Sequence, residues 1–183
     1  MKLMIASDIH GSARWCSAML DAWRTERPEK LILLGDLLYH GPRNDLPEEY
    51  APKKVIAMLN PLAAELICVR GNCEAEVDQM VLDFPVMADY AALYVDGRTL
   101  YATHGHVHGE TNPPPLKPGE FLLCGHTHVP ACNRHESFTY LNPGSVSIPK
   151  NGYAHNCCTL EDGVMRWKDL ARGGAVWRTE KLW

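Results

Sequence analysis

The run Leu31-Ile32-Leu33-Leu34-Gly35-Asp36 decides the fold class of this chain. Four consecutive apolar residues are too few for a helix, and the glycine and aspartate after them are turn residues, so the run predicts a buried β-strand. The earlier run from Leu3 to Ala6 has the same form and leads into a turn that contains Asp8 and His10. The chain therefore begins with two short buried strands, each followed by an acidic turn.

An amphipathic helix is predicted between these two strands. Ser12 can cap its first turn, and Pro28 ends it. Its apolar side carries Trp15, Met19 and Trp23. Two strands joined by a helix are expected to pair in parallel through a right-handed crossover.

The same order of elements continues further along the chain. Residues 39–52 have the composition of a loop, and Pro52 then suits the first turn of a helix that Pro61 closes. Residues 66–69 predict a third buried strand, which leads into the turn Arg70-Gly71-Asn72-Cys73.

Shorter strands and tight turns are predicted in the second half. Asp96-Gly97 and Asp162-Gly163 are hairpin signals, and further strands are expected at residues 121–124 and 138–141. Residues 172–183 show no usable pattern. Alternating strands and helices followed by antiparallel hairpins predict an α/β fold with two packed sheets.

Composition limits the classes of protein that fit. The 183 residues, of which 46% are hydrophobic and 22% charged, suit a single domain over residues 1–183. The net charge of -4 argues against duplex nucleic acid as a partner. No apolar run approaches the ~18 residues of a membrane span, and no leader precedes the first strand, so no membrane association is expected.

The cysteines indicate a reducing compartment. There are seven, an odd number, and none is arranged in the paired C-x-x-C spacing of a thiolate zinc site. Free thiols in the cytoplasm are therefore expected, and a disulfide framework is not.

Side chains able to bind metal ions follow most of the predicted strands. Polar residues beyond the carboxyl ends of strands in α/β folds collect in one crevice. The donors are Asp8, His10, Asp36, Asn72, His104, His126 and His128. Oxygen and nitrogen donors without a thiolate suit divalent ions such as manganese, iron, nickel or zinc. Asp36 is predicted to bridge two of them.

Two adjacent divalent ions suit one kind of reaction in particular. They clamp phosphate oxygens during in-line displacement at phosphorus and lower the pKa of water from ~16 toward ~7, which provides hydroxide at neutral pH. The sequence therefore predicts a metal-dependent phosphoesterase.

These motifs resemble a known family. Asp8-x-His10, Gly35-Asp36, Gly71-Asn72, His104-Gly105-His106 and Gly125-His126-Thr127-His128 are similar to the signature of the calcineurin-like metallophosphoesterase superfamily. The segments Asn142-Pro143-Gly144-Ser145, Arg70-Gly71-Asn72-Cys73 and His40-Gly41-Pro42-Arg43-Asn44 resemble the small bacterial YfcE-type phosphodiesterases more closely. The likeness extends from Met1 to about Gly163.

The resemblance implies a four-layer α/β-β/α sandwich of two mixed sheets flanked by helices, with a binuclear metal site. One ion would take Asp8, His10, Asp36 and His128, and the other would take Asp36, Asn72, His104 and His126. Manganese is the expected ion, with zinc, iron and nickel as alternatives.

Residues with roles in catalysis and substrate binding follow from the same resemblance. Asp36, Asn72, Cys73 and His104 are predicted to act in catalysis. Many relatives carry a histidine in place of Cys73, and a thiol is a poor general acid at neutral pH. The hypothesis is that Cys73 favours diesters with stabilised leaving groups, although a merely small turn residue is the alternative. Arg43 is a candidate for binding a phosphate oxygen, and a solvated loop arginine is its alternative reading.

The predicted function is hydrolysis of a small phosphodiester by a hydroxide generated at the two ions. A phosphomonoesterase with the same site is one alternative, and a non-catalytic, protein-binding scaffold of the same fold is another. Loops 39–52 and 106–119 contain no motif that names the substrate. A homo-oligomer, dimer or tetramer, is expected from the family and from the apolar Trp177 and Trp183.

Overall fold

The computed structural model describes residues 1–183 and contains two β-sheets and three α-helices. The strands are β1 (Leu3–Ala6), β2 (Lys30–Leu33), β3 (Leu66–Cys68), β4 (Ala91–Val95), β5 (Arg98–Ala102), β6 (Glu120–Leu123), β7 (Ala131–Arg134), β8 (Phe138–Asn142), β9 (Asn156–Glu161), β10 (Val164–Asp169) and β11 (Ala175–Lys181). The helices are α1 (Ala13–Glu26), α2 (Pro52–Leu59) and α3 (Glu76–Gln79), and short 3₁₀ helices span Asn60–Glu65 and Leu170–Arg172.

The first sheet has six strands in the order β11-β10-β9-β1-β2-β3. Strands β1, β2 and β3 run parallel, with Ile5 opposite Ile32, which confirms the parallel arrangement predicted from the early strands. The hairpin of β9 and β10 lies antiparallel beside β1. The sheet is therefore mixed, and the three strands that precede Asp8, Asp36 and Asn72 lie side by side.

The second sheet has five strands in the order β4-β5-β6-β8-β7. Its hairpin β4-β5 turns at Asp96-Gly97, as predicted. The expectation that the second half pairs through antiparallel hairpins was wrong for the centre of this sheet, where β5, β6 and β8 run parallel. Long connections at residues 103–119 and 124–137 return the chain to the same end of the sheet, as parallel pairing requires.

Alternate residues of the first sheet face two separate cores. Met4 and Leu33 point toward the helices, where they meet the predicted apolar side of α1. Ile5 and Ile32 point toward the second sheet and pack against its inner residues, such as Leu100. Successive side chains of a strand point to opposite faces, and both faces of this sheet are buried. Consecutive residues are therefore apolar, which explains the continuous apolar runs in the sequence.

The outer face of the second sheet is covered by a loop. A small cluster that includes Leu122, Phe138 and Tyr140 packs there against Leu116, which belongs to the proline-containing loop at residues 106–119. The fold is thus a sandwich of two mixed sheets with helices on the outside of the first, in agreement with the predicted class.

Strands β7 and β11 were not anticipated. Most side chains of β11 are exposed on both faces of the strand, so the residues carry no alternating pattern, and pairing with β10 holds the strand in place. Trp183 does not project from the tail, since its ring packs 5.1 Å from that of Phe121. Trp177 is 41% exposed. None of the helices combines the length and the apolar character that crossing a membrane requires.

Candidate metal centre

Each predicted metal ligand lies just beyond the carboxyl end of a strand. Asp8 follows β1, Asp36 follows β2 and Asn72 follows β3, while His104 follows β5 and the pair at 126 and 128 follows β6. The first three come from one sheet and the last three from the other. The site therefore lies where the corresponding ends of the two packed sheets meet.

Most of these turns hold a non-glycine residue in the left-handed backbone region. The residues with positive φ are Asp8 (59°), His10 (47°), Asp36 (57°), His126 (64°) and His128 (60°). Such conformations cost about 1 kcal/mol or more each and persist where surrounding structure requires them, commonly at functional sites. Five of the ligand candidates adopt this conformation. We infer that the placement of their side chains, and not the conformational preference of the backbone, determines these turns.

One half of the site surrounds the buried carboxylate of Asp8. Its Oδ1 lies 3.2 Å from His128 Nε2 and 3.6 Å from His10 Nε2, and these two ring nitrogens are 3.4 Å apart. Its Oδ2 accepts a hydrogen bond of 3.1 Å from the backbone N–H of His126. Asp8 Oδ1 has no hydrogen-bond donor in the protein.

The other half surrounds Asp36. Its Oδ2 lies 3.4 Å from His104 Nε2 and 3.7 Å from His10 Nε2, so the carboxylate stands between the two groups of histidines. His104 Nε2 is also 3.1 Å from Asn72 Oδ1 and 3.2 Å from His126 Nδ1. All seven predicted ligands are brought together in one centre.

Backbone carbonyls orient three of the histidine rings. Nδ1 of His10 is 2.8 Å from the Tyr39 carbonyl oxygen, and Nδ1 of His104 is 2.6 Å from that of Leu34. Nδ1 of His128 is 2.6 Å from the carbonyl oxygen of Ile148. Because a carbonyl can only accept, Nδ1 is a donor in each case, and in the neutral ring Nε2 presents a lone pair to the centre. This is the usual arrangement of histidines that bind metal ions.

This donor set fits divalent cations. While the histidine rings are neutral, their inward-facing nitrogens and the carboxylate oxygens are all electron-pair donors. They repel one another until positive charge lies among them. Two of the compact groups are Asp8, His10 and His128, and Asp8, Asp36 and His104. Protons on the rings can supply such charge as well as metal ions: burial raises the pKa of Asp8, but the adjacent His10 and His128 lower it, and the net pKa lies well below its ordinary value. Burial likewise opposes a charged His104, yet the Asp36 carboxylate raises the pKa of His104 to about 9.

Glu74 supports the centre and was missed by the sequence analysis. Its buried carboxylate accepts hydrogen bonds from the backbone N–H groups of Asp36 (2.9 Å), Leu37 (2.7 Å) and Gly71 (2.5 Å). It thereby ties the Asp36 turn to the turn that carries Asn72. The available signal was its position directly after the Gly-Asn-Cys segment, next to the predicted ligands.

Two serines hold the Asp8 turn from the other side. The hydroxyl of Ser145 donates to the Asp8 carbonyl oxygen at 2.9 Å, and that of Ser147 donates to the same oxygen at 3.0 Å. Ser145 belongs to the Asn142-Pro143-Gly144-Ser145 segment that carries the family resemblance. Asn44, from another such segment, donates from Nδ2 to the carbonyl oxygen of His40 at 2.9 Å.

A cavity of about 490 Å³ opens on the centre. Here it is called the metal-site cavity, and its lining includes the ligands His10, Asp36, Asn72, His126 and His128 together with Arg43, Asn44, Cys73 and Lys150. Arg43, predicted to bind a phosphate oxygen, is thus exposed at the cavity that opens on the centre. Lys150 adds a second cation that the sequence analysis did not identify, because a single lysine after a turn carries no distinguishing pattern.

The thiol of Cys73 lies in this cavity beside Asp36. The Cys73 backbone N–H donates to Asp36 Oδ1 at 2.9 Å, and the Asn72 amide donates to the sulfur at 3.3 Å. Burial and the negative charges of Asp36 and Glu74 raise the pKa of the thiol above its ordinary value.

The remaining histidines lie at the edge of the centre or outside it. His106 is exposed, with its ring centroid 5.4 Å from that of His104, and His108 is exposed in the following loop. His155 stacks on Trp15 with ring centroids 3.4 Å apart, and His135 pairs with Glu110.

Comparison with known proteins identifies the family of the chain. The model of the calcineurin-like phosphoesterase superfamily domain matches residues 1–162. The chain is 46% identical over 165 residues to phosphodiesterase YfcE of Escherichia coli K12, which covers 90% of each sequence. The solved structure of the Escherichia coli phosphoesterase Yfce aligns over 100% of both chains with a TM-score of 0.95 and 42% identity.

A more distant structure shares the fold alone. Wild-type Vps29 of Entamoeba histolytica, solved in complex with zinc, aligns over 100% of this chain and 99% of its own with a TM-score of 0.65 and 18% identity. The family match and the close relative are decisive. The chain belongs to the calcineurin-like phosphoesterase superfamily, and it is a phosphoesterase enzyme.

Proposed function

We propose that this protein is a metal-dependent phosphodiesterase that hydrolyses a small phosphodiester at a binuclear site. The observation that carries the proposal is the set of inward-facing Nε2 atoms of His10, His104 and His128 around Asp8 and Asp36. The name of the relative at 46% identity supports a diester as the substrate.

The ligands divide into two groups that share one carboxylate. His10, His128 and Asp8 would hold one ion, and His104, His126 and Asn72 would hold the other. Asp36 would belong to both, and its Oδ2 lies 3.7 Å from His10 Nε2 and 3.4 Å from His104 Nε2. This is the assignment that the family resemblance implied.

Two divalent ions, when bound, supply a nucleophilic hydroxide at neutral pH and neutralise charge on the phosphate. The residues of the chain position the substrate around them. Arg43 and Lys150 offer cations to the phosphate oxygens and to the negative charge that develops on the leaving oxygen. Glu74, Ser145 and Ser147 hold the turns of Asp36 and Asp8 still, so that geometry is set before the substrate arrives.

Cys73 is proposed to bias the enzyme toward diesters with good leaving groups. Its thiol faces the metal-site cavity where many relatives carry a histidine, and its raised pKa makes it a still weaker acid. An alkoxide would leave slowly without a proton donor, whereas a stabilised phenolate needs none. Asn72, His104 and Asp36 are proposed to act in catalysis through the ions that they would hold.

The test is a comparison of a diester and a monoester with the same leaving group. We expect bis-(p-nitrophenyl) phosphate to be turned over faster than p-nitrophenyl phosphate after loading with Mn²⁺, and both activities to vanish with a chelator. Asp36→Asn is expected to lose at least about 10²-fold in kcat/KM, because it removes the shared carboxylate. Full activity of this variant would show that the site is misplaced, and faster monoester hydrolysis would overturn the diester assignment.

The proposal also covers the metal ion, the cellular compartment, the domain organisation and the oligomeric state. Manganese is the proposed ion, and zinc, iron and nickel are the alternatives to compare by reconstitution. The seven cysteines, all free thiols, support a reducing compartment such as the cytoplasm. One domain over residues 1–183 and a homo-oligomer are also proposed. Duplex nucleic acid is not a proposed substrate, given the net charge of -4.

A further inference from the structure

A second cavity is lined in part by the ligand candidate His104. It has a volume of about 560 Å³, which is within the usual range of roughly 300–1,000 Å³ for small-molecule sites. We call it the aromatic cavity, and its lining includes Asp89, Tyr90, Tyr101, His106, Pro114 and Pro115. The proposed function above does not use it.

The aromatic cavity adjoins the metal centre. His104, whose Nε2 faces Asp36, also lines this cavity. His106 stands between the two sites, with its ring centroid 5.4 Å from that of His104 and 6.2 Å from that of His126. The two sites are therefore neighbours, and a group attached to a phosphate at the metal centre could extend past His106 toward this cavity.

Rigid aromatic and proline side chains shape this cavity. Tyr90 is 63% exposed at its mouth, and Tyr101 projects from β5. Pro114 and Pro115 belong to a run of three prolines, whose fixed backbone torsions make this wall stiff. Such surfaces favour flat aromatic groups, because a ring can stack on tyrosine at little cost in conformational entropy.

The charged residues of the two cavities indicate which part of a diester substrate each cavity would bind. The metal-site cavity contains the cations Arg43 and Lys150, whereas the aromatic cavity contains the carboxylate of Asp89 and neither lysine nor arginine. Negative charge develops on the leaving oxygen during hydrolysis, so this group is favoured near the cations. The substituent that stays on phosphorus remains uncharged and suits the aromatic cavity.

We propose that the aromatic cavity binds a flat aromatic ring carried by the ester substituent that stays on phosphorus. This inference rests on the proposed phosphodiesterase function and names the substrate class of the same site. An aryl group and a nucleobase share the required chemistry, and the experiment separates them.

The test uses three diesters with an identical p-nitrophenolate leaving group. Methyl p-nitrophenyl phosphate lacks a retained ring, phenyl p-nitrophenyl phosphate carries an aryl ring, and thymidine 5′-(p-nitrophenyl phosphate) carries a base. We expect kcat/KM of the protein loaded with an activating divalent ion to be about tenfold higher for at least one ring-bearing diester than for the methyl diester. The ring that gains more identifies the natural class.

Tyr90→Ala is expected to lower the ratio of ring-bearing to methyl kcat/KM by about fivefold, and Tyr90→Phe is expected to keep it. Tyr94→Ala is the matched control, since Tyr94 is 79% exposed on β4 and does not line the cavity, and it should leave the ratio unchanged. Because Tyr90 is exposed, its variants should fold as the wild type does, and a thermal melt verifies this.

Each outcome decides the matter. If the methyl diester is hydrolysed but neither ring-bearing diester is preferred, the inference fails and the phosphodiesterase function stands. The inference also fails if Tyr90→Ala keeps the wild-type ratio. If no diester is hydrolysed with any added divalent ion, the phosphodiesterase function and this inference fail together.

Discussion

At the scale of single residues, Glu74 is a carboxylate that stabilises the centre without facing it. It is 4% exposed and accepts three backbone hydrogen bonds that join the Asp36 turn to the Gly71 turn. Gly71 must be glycine for a steric reason, because a β-carbon there would overlap the Asp36 carboxylate. The precision of the site therefore depends on residues that do not bind the metal.

Glu74→Gln is expected to lower both metal affinity and stability. An amide nitrogen in place of one oxygen faces backbone N–H groups that need an acceptor, which should cost about 1–3 kcal/mol in the free energy of unfolding. Binding of Mn²⁺ by calorimetry and urea denaturation would measure the two effects. Glu76→Gln, an exposed neighbour in α3, is the matched control and should change neither. Equal behaviour of the two variants would contradict the role of Glu74.

Cys73→His tests whether the site lacks a proton donor for the leaving oxygen. A histidine facing the metal-site cavity can protonate a leaving alkoxide, so we expect hydrolysis of alkyl esters to rise about tenfold or more relative to p-nitrophenyl esters. The measurement is the ratio of kcat/KM for the two kinds of leaving group. Cys132→Ser, a change at a half-buried thiol outside the cavity, should leave that ratio as it is. An unchanged ratio in Cys73→His would favour the reading of Cys73 as a small turn residue.

At the scale of elements, the C-terminal end of α1 is held to the first sheet by an ion-pair network. Glu26 Oε2 contacts Lys2 Nζ, and Glu26 Oε1 lies 2.5 Å from Lys168 Nζ in β10. Burial raises the pKa of Glu26, but the hydrogen bonds from Lys168 and Lys2 outweigh burial, and the net result is a lowered pKa.

Glu26→Gln is expected to destabilise the protein by about 1–3 kcal/mol at pH 7. Because the folded-state pKa lies below the ordinary value of 4.5, this contribution is present above pH 4.5 and is lost as the pH falls through the folded-state pKa. Urea denaturation at pH 7 and at about pH 3 would show it. Asp21→Asn removes an exposed ion pair with Arg24 in the same helix and should stay within about 0.5 kcal/mol at both pH values. A pH-independent loss in Glu26→Gln would exclude the ion pairs as its cause.

The strands and helices that were predicted correctly are those marked by a pattern of neighbouring residues in the sequence. Strands β1 to β3 appear as uninterrupted apolar runs because both of their faces are buried, and α1 begins at the Ser12 cap. Strand β11 has exposed residues on both faces and exists because β10 pairs with it. The pairing of β5, β6 and β8 in parallel depends on contacts between residues far apart in the chain, which local patterns do not report.

At the scale of the whole molecule, the centre joins the two sheets. Asp8, Asp36 and Asn72 belong to the first sheet, and His104, His126 and His128 belong to the second. Ions bound between them would therefore connect the two halves of the sandwich, and their binding energy would add to the stability of the fold.

Metal binding is accordingly expected to raise the melting temperature. A bound ion at a concentration 100 times its dissociation constant adds about 2.7 kcal/mol, which corresponds to roughly 5–10 °C for a chain of this size. Thermal denaturation with Mn²⁺ and with a chelator would measure the shift. Asp36→Asn should lose most of it, and a shift of equal size in that variant would place the ions elsewhere.

The sequence by itself determined the chemistry of the centre and the first three strands. Runs of apolar residues followed by Asp, Asn or His are local features, so they identified the seven ligand candidates and the family they resemble. The tertiary structure alone decided the rest, because it depends on distant contacts. It oriented the histidine rings through backbone carbonyls, hydrogen-bonded Glu74 to the backbone of Asp36, and brought Lys150 to the same cavity as Arg43. It also formed the aromatic cavity from three separate segments between residues 89 and 115.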